Sequence, residues 1–180
     1  FVHNMRYDKS EIAAGGLGRG EYDNCLFEGC DFSGWDLSGF VFTDCRFRDC
    51  DMSLVKPDRT VMRDVRFEGC KMLGVRFDTC DKFGLSFSFE GCRLDDSSFY
   101  EKKIRNTVFR NCRLKGVDFS RCDLTGSEFD NCDMVDAVFD FTVLEKADLR
   151  TAYDFAIDPE KNRIKRARFS TRDRGNAYRN

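Results

Sequence analysis

From Thr107 to Leu149 the chain repeats itself every five residues: TVFRN CRLKG VDFSR CDLTG SEFDN CDMVD AVFDF TVLEK ADL. The first place of each five is small or compact, as at Cys112, Val117, Cys122, Ser127, Cys132 and Ala137. The third is large and apolar, as at Phe109, Leu114, Phe119, Leu124, Phe129 and Met134. A period of five matches neither the 3.6 of an amphipathic helix nor the alternation of a two-faced strand. Self-similarity at a fixed short period marks a stacked-repeat architecture. Carried backwards, the register reaches Cys25 with one slip of two residues, placed within Ser88–Gly91. Over twenty-five fives the third place departs from Phe, Leu, Met or Ile only at Pro57 and Lys82, and all ten cysteines fall in the first place.

A second period of twenty lies over the first. One series of small places reads Cys30, Cys50, Cys70, Cys92, Cys112, Cys132, and one series of large places reads Phe27, Phe47, Phe67, Phe87, Phe109, Phe129. Like residues every twenty imply four fives per turn, each five one side of a square, with identical side chains stacked at strand spacing. The expected fold is all-β: a right-handed quadrilateral parallel β-helix of about six to seven coils with capped ends.

The A-(D/N)-L-x-x form of CDLTG, CDMVD and ADL resembles the pentapeptide-repeat family over roughly Tyr22 to Leu149. The hand of the coil follows from the rule for parallel crossovers and from this resemblance, not from the spacing. CKMLGV (Cys70–Val75), LSFSFEGCRLDDSSFY (Leu85–Tyr100) and NRIKRARFS (Asn162–Ser170) resemble the family's Qnr-type members and their relatives from antibiotic producers. The resemblance implies a DNA-mimicking protein that binds a type II DNA topoisomerase and modulates or protects it against quinolones or peptide toxins. In Qnr-type relatives an aliphatic helix after the coil pairs two monomers. Residues 170–180 contain no Leu, Ile, Val or Met, which puts a homodimer through the C-terminal region in doubt.

The chain then divides into a flexible segment without repeats (1–20), the β-helix (21–154), and a C-terminal cap with a basic tail (155–180). Pro57 lacks a ladder donor and marks an expected bulged corner. Lys82 in a large place and Lys102 in a small one are expected to swing outward, because unpaired buried lysines are costly. With Phe83 and Phe89 left in outward registers, they outline a candidate partner-contacting loop; the plainer reading is a tolerated bulge. Cysteines five apart point inward from different sides of the square, so they read as small buried hydrophobes in a reducing cytosol rather than a disulfide scaffold. No CxxC pair occurs and His3 is the only histidine, so neither a metal, a cofactor nor a catalytic triad is expected. No apolar run approaches the ~18 residues of a membrane span.

Charge separates the functional readings. Residues 158–180 hold eight Lys/Arg against three Asp/Glu, whereas Asp118–Asp154 holds ten acids against Arg121, Lys146 and Arg150, a net of −7. Two coils rise roughly 9 Å. That is about one net charge per ~1.3 Å, against ~1.7 Å for duplex DNA. Asp118, Asp123, Glu128, Asp130, Asp133, Asp136, Asp140 and Asp148 are therefore the candidate partner-binding residues, with a topoisomerase as partner and no direct nucleic-acid or membrane contact expected. A general protein-interaction scaffold is the alternative.

Overall fold

The computed structural model describes residues 1–171. Thirteen short strands and one helix follow in chain order: β1 (Val2–His3), β2 (Arg6–Tyr7), α1 (Lys9–Gly15), β3 (Glu21–Asp23), β4 (Leu26–Glu28), β5 (Val41–Thr43), β6 (Arg46–Arg48), β7 (Val61–Arg63), β8 (Val65–Glu68), β9 (Phe87–Glu90), β10 (Val108–Arg110), β11 (Glu128–Asp130), β12 (Asp148–Leu149) and β13 (Arg168–Phe169). All pairings are parallel, and partners lie twenty residues apart except across one coil. A nine-stranded sheet (β2-β4-β6-β8-β9-β10-β11-β12-β13) forms side 1 of a four-sided β-helix, and its nine strands enclose eight full turns. Side 2 is the bridge ladder Asp31–Asp51–Lys71–Arg93–Arg113–Asp133–Tyr153, and side 3 includes Arg76–Ser98–Asp118–Val138. Side 4 holds the sheet β1-β3-β5-β7 and then the ladder Lys103–Asp123–Val143–Arg163.

The repeat follows from satisfying every backbone group while four corners are turned in twenty residues. The second-place N–H donates to the coil on one side (Asp51 to the Cys30 carbonyl, 3.0 Å) and the third-place N–H to the coil on the other (Met52 to Lys71, 2.7 Å). The first-place N–H closes the turn within its own coil (Val55 to Met52, 3.3 Å). At many corners the fourth-place N–H is met by a second-place aspartate: Ser33 by Asp31, Ser53 by Asp51, Ser120 by Asp118, Thr125 by Asp123 and Val135 by Asp133, all at 2.8–3.1 Å. The D of the motif is thus an Asx-turn acceptor. Ser33 and Ser38, donating through side chain and backbone, hold the Asp31 and Asp36 carboxyls below the usual range.

First-place side chains carry a further donor. Cys50 Sγ donates to the Phe27 carbonyl, Cys70 to Phe47 and Cys132 to Phe109, each at 3.3 Å and twenty-three residues back. Thr60 reaches Leu37 at 2.7 Å and Thr142 reaches Phe119 at 2.8 Å. All ten cysteines are free and buried. They act as compact weak donors as well as apolar filler.

The core is two aromatic stacks meeting edge-on. Tyr7, Phe27, Phe47, Phe67, Phe89, Phe109 and Phe129 stack along side 1 with centroids 4.7–5.2 Å apart. Phe77, Phe99, Phe119 and Phe139 stack along side 3 at 4.6–5.5 Å. Across the square, rings such as Phe109 and Phe119 meet T-shaped at 5.8 Å, which aligns ring edges with ring faces.

Four expectations need correction. Residues 1–20 are structured: β1 and β2 pair with β3 and β4, and α1 replaces side 2 of the first coil, burying Ile12. Its capping box, Asp8 with Glu11, starts the helix where the five-residue pattern fails. The coil count accordingly rises from six or seven to eight.

The two-residue insertion lies between Asp81 and Ser86, not at Ser88–Gly91. Thr79 still pairs with Arg59, twenty back, but Phe87 already pairs with Val65, twenty-two back. Phe89, not Phe87, therefore joins the side 1 stack, and Phe87 fills a small place; both are buried. A slide of two leaves each strand residue on the same face, so alternation in LSFSFE could not tell the two Phe apart.

Lys102 does not swing outward. It is buried, and its ammonium donates to the Cys80 carbonyl at 2.8 Å, as thiols and hydroxyls do elsewhere in its column. Pro57 causes no bulge in its own coil. The Arg76 carbonyl, which a third-place N–H at 57 would have reached, instead accepts Thr79 N–H (3.2 Å) and Thr79 Oγ1 (2.9 Å). The missing donor thus appears one coil on, as the 3-10 turn Phe77–Thr79.

The hydrogen-bonded core is open to direct test. Thr142→Val keeps the volume and removes one of two donors to the Phe119 carbonyl, which retains the Cys122 N–H (3.1 Å), and should lower unfolding free energy by about 0.5–1.5 kcal/mol in urea titrations. Cys112→Asp, a charge in a dry core, should prevent folding.

Burial pushes the Cys45, Cys80 and Cys122 thiols up to about 12 from 9.0. A folded pKa above the unfolded one means stability is complete below pH 9 and is lost as pH climbs toward 12. Each thiol accounts for up to about 4 kcal/mol of that loss. Urea midpoints measured at pH 8 and pH 10.5 should differ sharply, and Ser at all three positions should reduce the difference, leaving the part carried by other buried thiols such as Cys30, which burial also raises.

Candidate interaction surface

Corner residues show where the sequence accepts strain. The fifth place adopts positive φ at nearly every corner, a conformation cheap for Gly, Asn and Asp and worth roughly 1–2 kcal/mol against other residues. Leaving side 1, the positive-φ corner residues are Gly29, Asp49, Gly69, Gly91, Asn111 and Asn131, all of the cheap kind. Leaving side 3 they are Gly39, Arg59, Glu101, Arg121 and Phe141, and only the first is cheap. Backbone strain of this sort persists where something other than stability selects the side chain.

Side 3 beside that corner also turns several apolar side chains to water, as Leu54, Phe83 and Tyr153 do singly elsewhere. Tyr100, Val138 and Phe141 are 39%, 46% and 58% exposed, and Arg121 lies over the Phe141 ring at 5.2 Å. Glu101, Asp118 and Asp140 stand among them with no ion-pair partner among the described residues, whereas Asp78 is held by Arg76 at 2.6 Å. Acids and exposed aromatics thus interleave over about three coils, or ~10 Å of height.

Ion pairs are densest on side 1, while Asp31, Asp51, Asp133 and Asp136 of side 2 and its corner, like the side 3 acids, have no ion-pair partner among the described residues. On side 1, Glu28 lies between Arg6 (2.5 Å) and Arg48 (3.8 Å), Glu68 receives Arg46 and Arg48, and Arg110 joins Asp130 at 3.1 Å. On side 4, Arg105 meets Asp123 at 2.5 Å. Burial raises the Asp123 carboxyl, but Thr125 and Arg105 more than offset this and hold it low. The surface hollows among the described residues are open grooves rather than enclosed cavities, and one is lined by Glu128, Asp130, Asp148, Arg150 and Thr151.

A model of the pentapeptide repeat region matches residues 21–88 and 85–152. The chain belongs to the pentapeptide-repeat family. Full-length QnrB1, a plasmid-mediated fluoroquinolone resistance protein, matches with a TM-score of 0.63 at 16% identity, covering 97% of this chain and 93% of that one. A trypsin-treated QnrB1 variant matches at 0.57 and 15%, covering 96% and 92%. HetL, involved in heterocyst differentiation regulation in the cyanobacterium Nostoc sp. strain PCC 7120, matches at 0.38 and 14%, covering 88% and 91%. At these identities the likeness to the two QnrB1 structures is one of fold. Among curated proteins nothing matches.

The eight acids singled out in the sequence do not converge in this pentapeptide-repeat protein. Asp118 and Asp140 share side 3, Asp133 and Asp136 lie on side 2 and its corner, Asp123 is on side 4, and Glu128, Asp130 and Asp148 are on side 1. A linear count of charge cannot see that successive fives face four directions. Of the candidate loop residues, Lys82 and Phe83 are exposed, Phe83 at 81%, while Phe89 and Lys102 belong to the core. The residues that sequence reasoning missed are Tyr100, Arg121, Val138 and Phe141. For Arg121 and Phe141 the legible signal was bulk at fifth places, where the turn prefers Gly, Asn or Asp; Tyr100 and Val138, at fourth and second places, carried none.

Phe141→Gly relieves a positive φ of 52° while giving up one exposed cation–π interaction of about 0.5–1 kcal/mol. Thermal unfolding of this variant should show stability unchanged or raised by up to about 1 kcal/mol. A clear loss would mean that Phe141 is held for the fold.

Proposed function

We propose that this protein docks onto a type II DNA topoisomerase, with side 3 entering the basic groove that otherwise holds duplex DNA, and so modulates or protects the enzyme against quinolone or toxin inhibitors. The observation that carries this reading is the row of unpaired acids Glu101, Asp118 and Asp140 interleaved with Tyr100, Val138 and Phe141. The three acids stand at different places along side 3 on successive coils, about one per ~4.8 Å of height against roughly 3.4 Å per phosphate of one DNA strand. Exposed aromatics beside them supply the anchors that protein interfaces use. The Qnr-like segments of the sequence direct the reading to topoisomerases.

A second reading, a general interaction scaffold, is favoured by the ion-paired ladders of side 1 and by the dispersal of acids over four sides. The two differ in one measurement. A mimic loses binding when linear duplex DNA is added to the enzyme; a scaffold does not.

With purified gyrase or topoisomerase IV immobilised, the parent protein should bind, compete with duplex, and weaken steeply as salt screens exposed charges beyond about 8 Å. Asp118→Asn with Asp140→Asn and Phe141→Gly should cut affinity by more than tenfold. Asn keeps the Asx-turn acceptor at 118, so the fold should be untouched. Asp133→Asn with Asp136→Asn, on side 2, should change affinity by less than about twofold, in line with distant exposed charges. Equal binding by the triple variant and the parent would sink the assignment to side 3.

A further inference from the structure

The corner leaving side 4 changes character at its last two steps. From the first coil upward, its positive-φ residues are Asn4, Asn24, Asp44, Asp64, Asn106 and Gly126, then Lys146 (φ +59°) and Arg166 (φ +60°). Two residues unsuited to the conformation thus replace the suited ones, and they carry like charges one coil, or ~4.8 Å, apart. Neither change helps the fold.

The surroundings extend the positive charge. Arg163 and Lys165 project from side 4 of the final coil, and Arg168 from β13 on side 1. All of these, with Lys146 and Arg166, are exposed. Only Arg163 is in an ion pair, with Glu145 at 2.9 Å; Lys146, Lys165, Arg166 and Arg168 have none among the described residues. Arg168 does lie in register over Asp148, whose carboxyl is held low first by Arg150 and then by Arg168. A shallow groove lined by Glu145, Lys146, Lys165 and Arg166 marks the centre of the cluster.

We propose that this basic end binds the phosphodiester backbone of duplex nucleic acid without reading sequence. This revises the expectation of no direct nucleic-acid contact, and it stands apart from the topoisomerase reading. Two features of the surface favour a phosphate backbone over an acidic peptide. No large apolar side chain is exposed between residues 160 and 168, and the nearby exposed Phe141 lies one coil below at the corner entering side 4, whereas backbone binding to nucleic acid needs only cations. Arg163 is on the side 4 ladder and Lys165 and Arg166 form the turn that follows it, so three cations fall within four residues, as repeated contact along a phosphate chain needs. The arc is convex, which suits contact along a backbone rather than insertion into a groove.

The test is fluorescence anisotropy with the full chain and a labelled 20-base-pair duplex, repeated from 30 to 200 mM salt. The parent should bind in roughly the micromolar range at low salt, with a log–log salt slope of about −3 to −5. Lys146→Asn with Arg166→Asn puts a residue suited to positive φ at both corners, so far-UV spectra and urea midpoint should hold. Binding should fall at least tenfold, and the slope should become shallower by about 2, at roughly 0.9 for each phosphate no longer neutralised. Three outcomes would each overturn the proposal: no salt-dependent binding by the parent, an unchanged slope in the double variant, or tighter binding of poly-L-glutamate than of the duplex. The last would instead assign the end to an acidic protein. Since no enzyme is present, failure here leaves the side 3 reading intact, and the converse holds.

Discussion

Each turn of this molecule must bring a backbone group into register with its counterpart twenty residues on, and nearly every other feature answers to that constraint. Parallel strands can pair at ~4.8 Å only if the side chains inside them also stack at ~4.8 Å. Flat rings do so face to face, which is why seven aromatic rings from Tyr7 to Phe129 form one column. Small residues do so at the first place, but smallness alone does not explain the choice of Cys, Thr and Ser over Ala. Their donors reach the third-place carbonyls of the neighbouring coil, so the core is apolar in bulk and hydrogen-bonded along its edges. Lys102 departs from the rule, for its longer side chain reaches the first-place Cys80 carbonyl instead, and even an ammonium is accepted inside when it finds such an acceptor.

The same constraint sets what could be read from the sequence. Fold class, the inward cysteines and most of the aromatic column follow from periods of five and twenty, because stacking copies each choice from coil to coil. The errors fall where copying stops. Two inward Phe separated by one residue, Phe87 and Phe89, are equivalent to any argument from alternation, and only pairing partners distinguish them. Pro57 was legible as a lost donor, but its effect is displaced to the coil that would have received the bond, at Arg76 and Thr79. The N-terminal cap was written in another code: Asp8 and Glu11 form a capping box, invisible to a search for fives.

Acidic residues need a similar separation of causes before charge can be read as function. Asp118, Asp123, Asp133 and Asp148 each accept the N–H two residues on, as Asp31 and Asp51 do in the opposite half of the rod. Much of the negative charge in the later coils is therefore the turn motif repeated. Glu101 and Asp140 do not occupy that place, and Asp118 shares their side. Their link to function rests on position relative to the exposed aromatics rather than on number.

Strain supplies a criterion independent of charge. A corner that costs roughly 1–2 kcal/mol more with Arg than with Gly is selected against by stability alone, in a repeat that offers Gly, Asn or Asp at equivalent corners elsewhere. Seven positive-φ residues are neither Gly, Asn nor Asp: Leu54, Arg59, Glu101, Arg121, Phe141, Lys146 and Arg166. Four of them line the corner beside side 3 and two end the corner beside side 4. The first group holds one acid, one aromatic and two arginines beside the exposed acids of side 3, the other is purely cationic, and the two occupy different edges of the rod. A solenoid has no cleft in which to gather a site, so specificity has to be written along its edges. The expensive corners are where this sequence departs from what its own fold prefers, and they are the two edges on which the proposed protein contact and the proposed phosphate contact are placed.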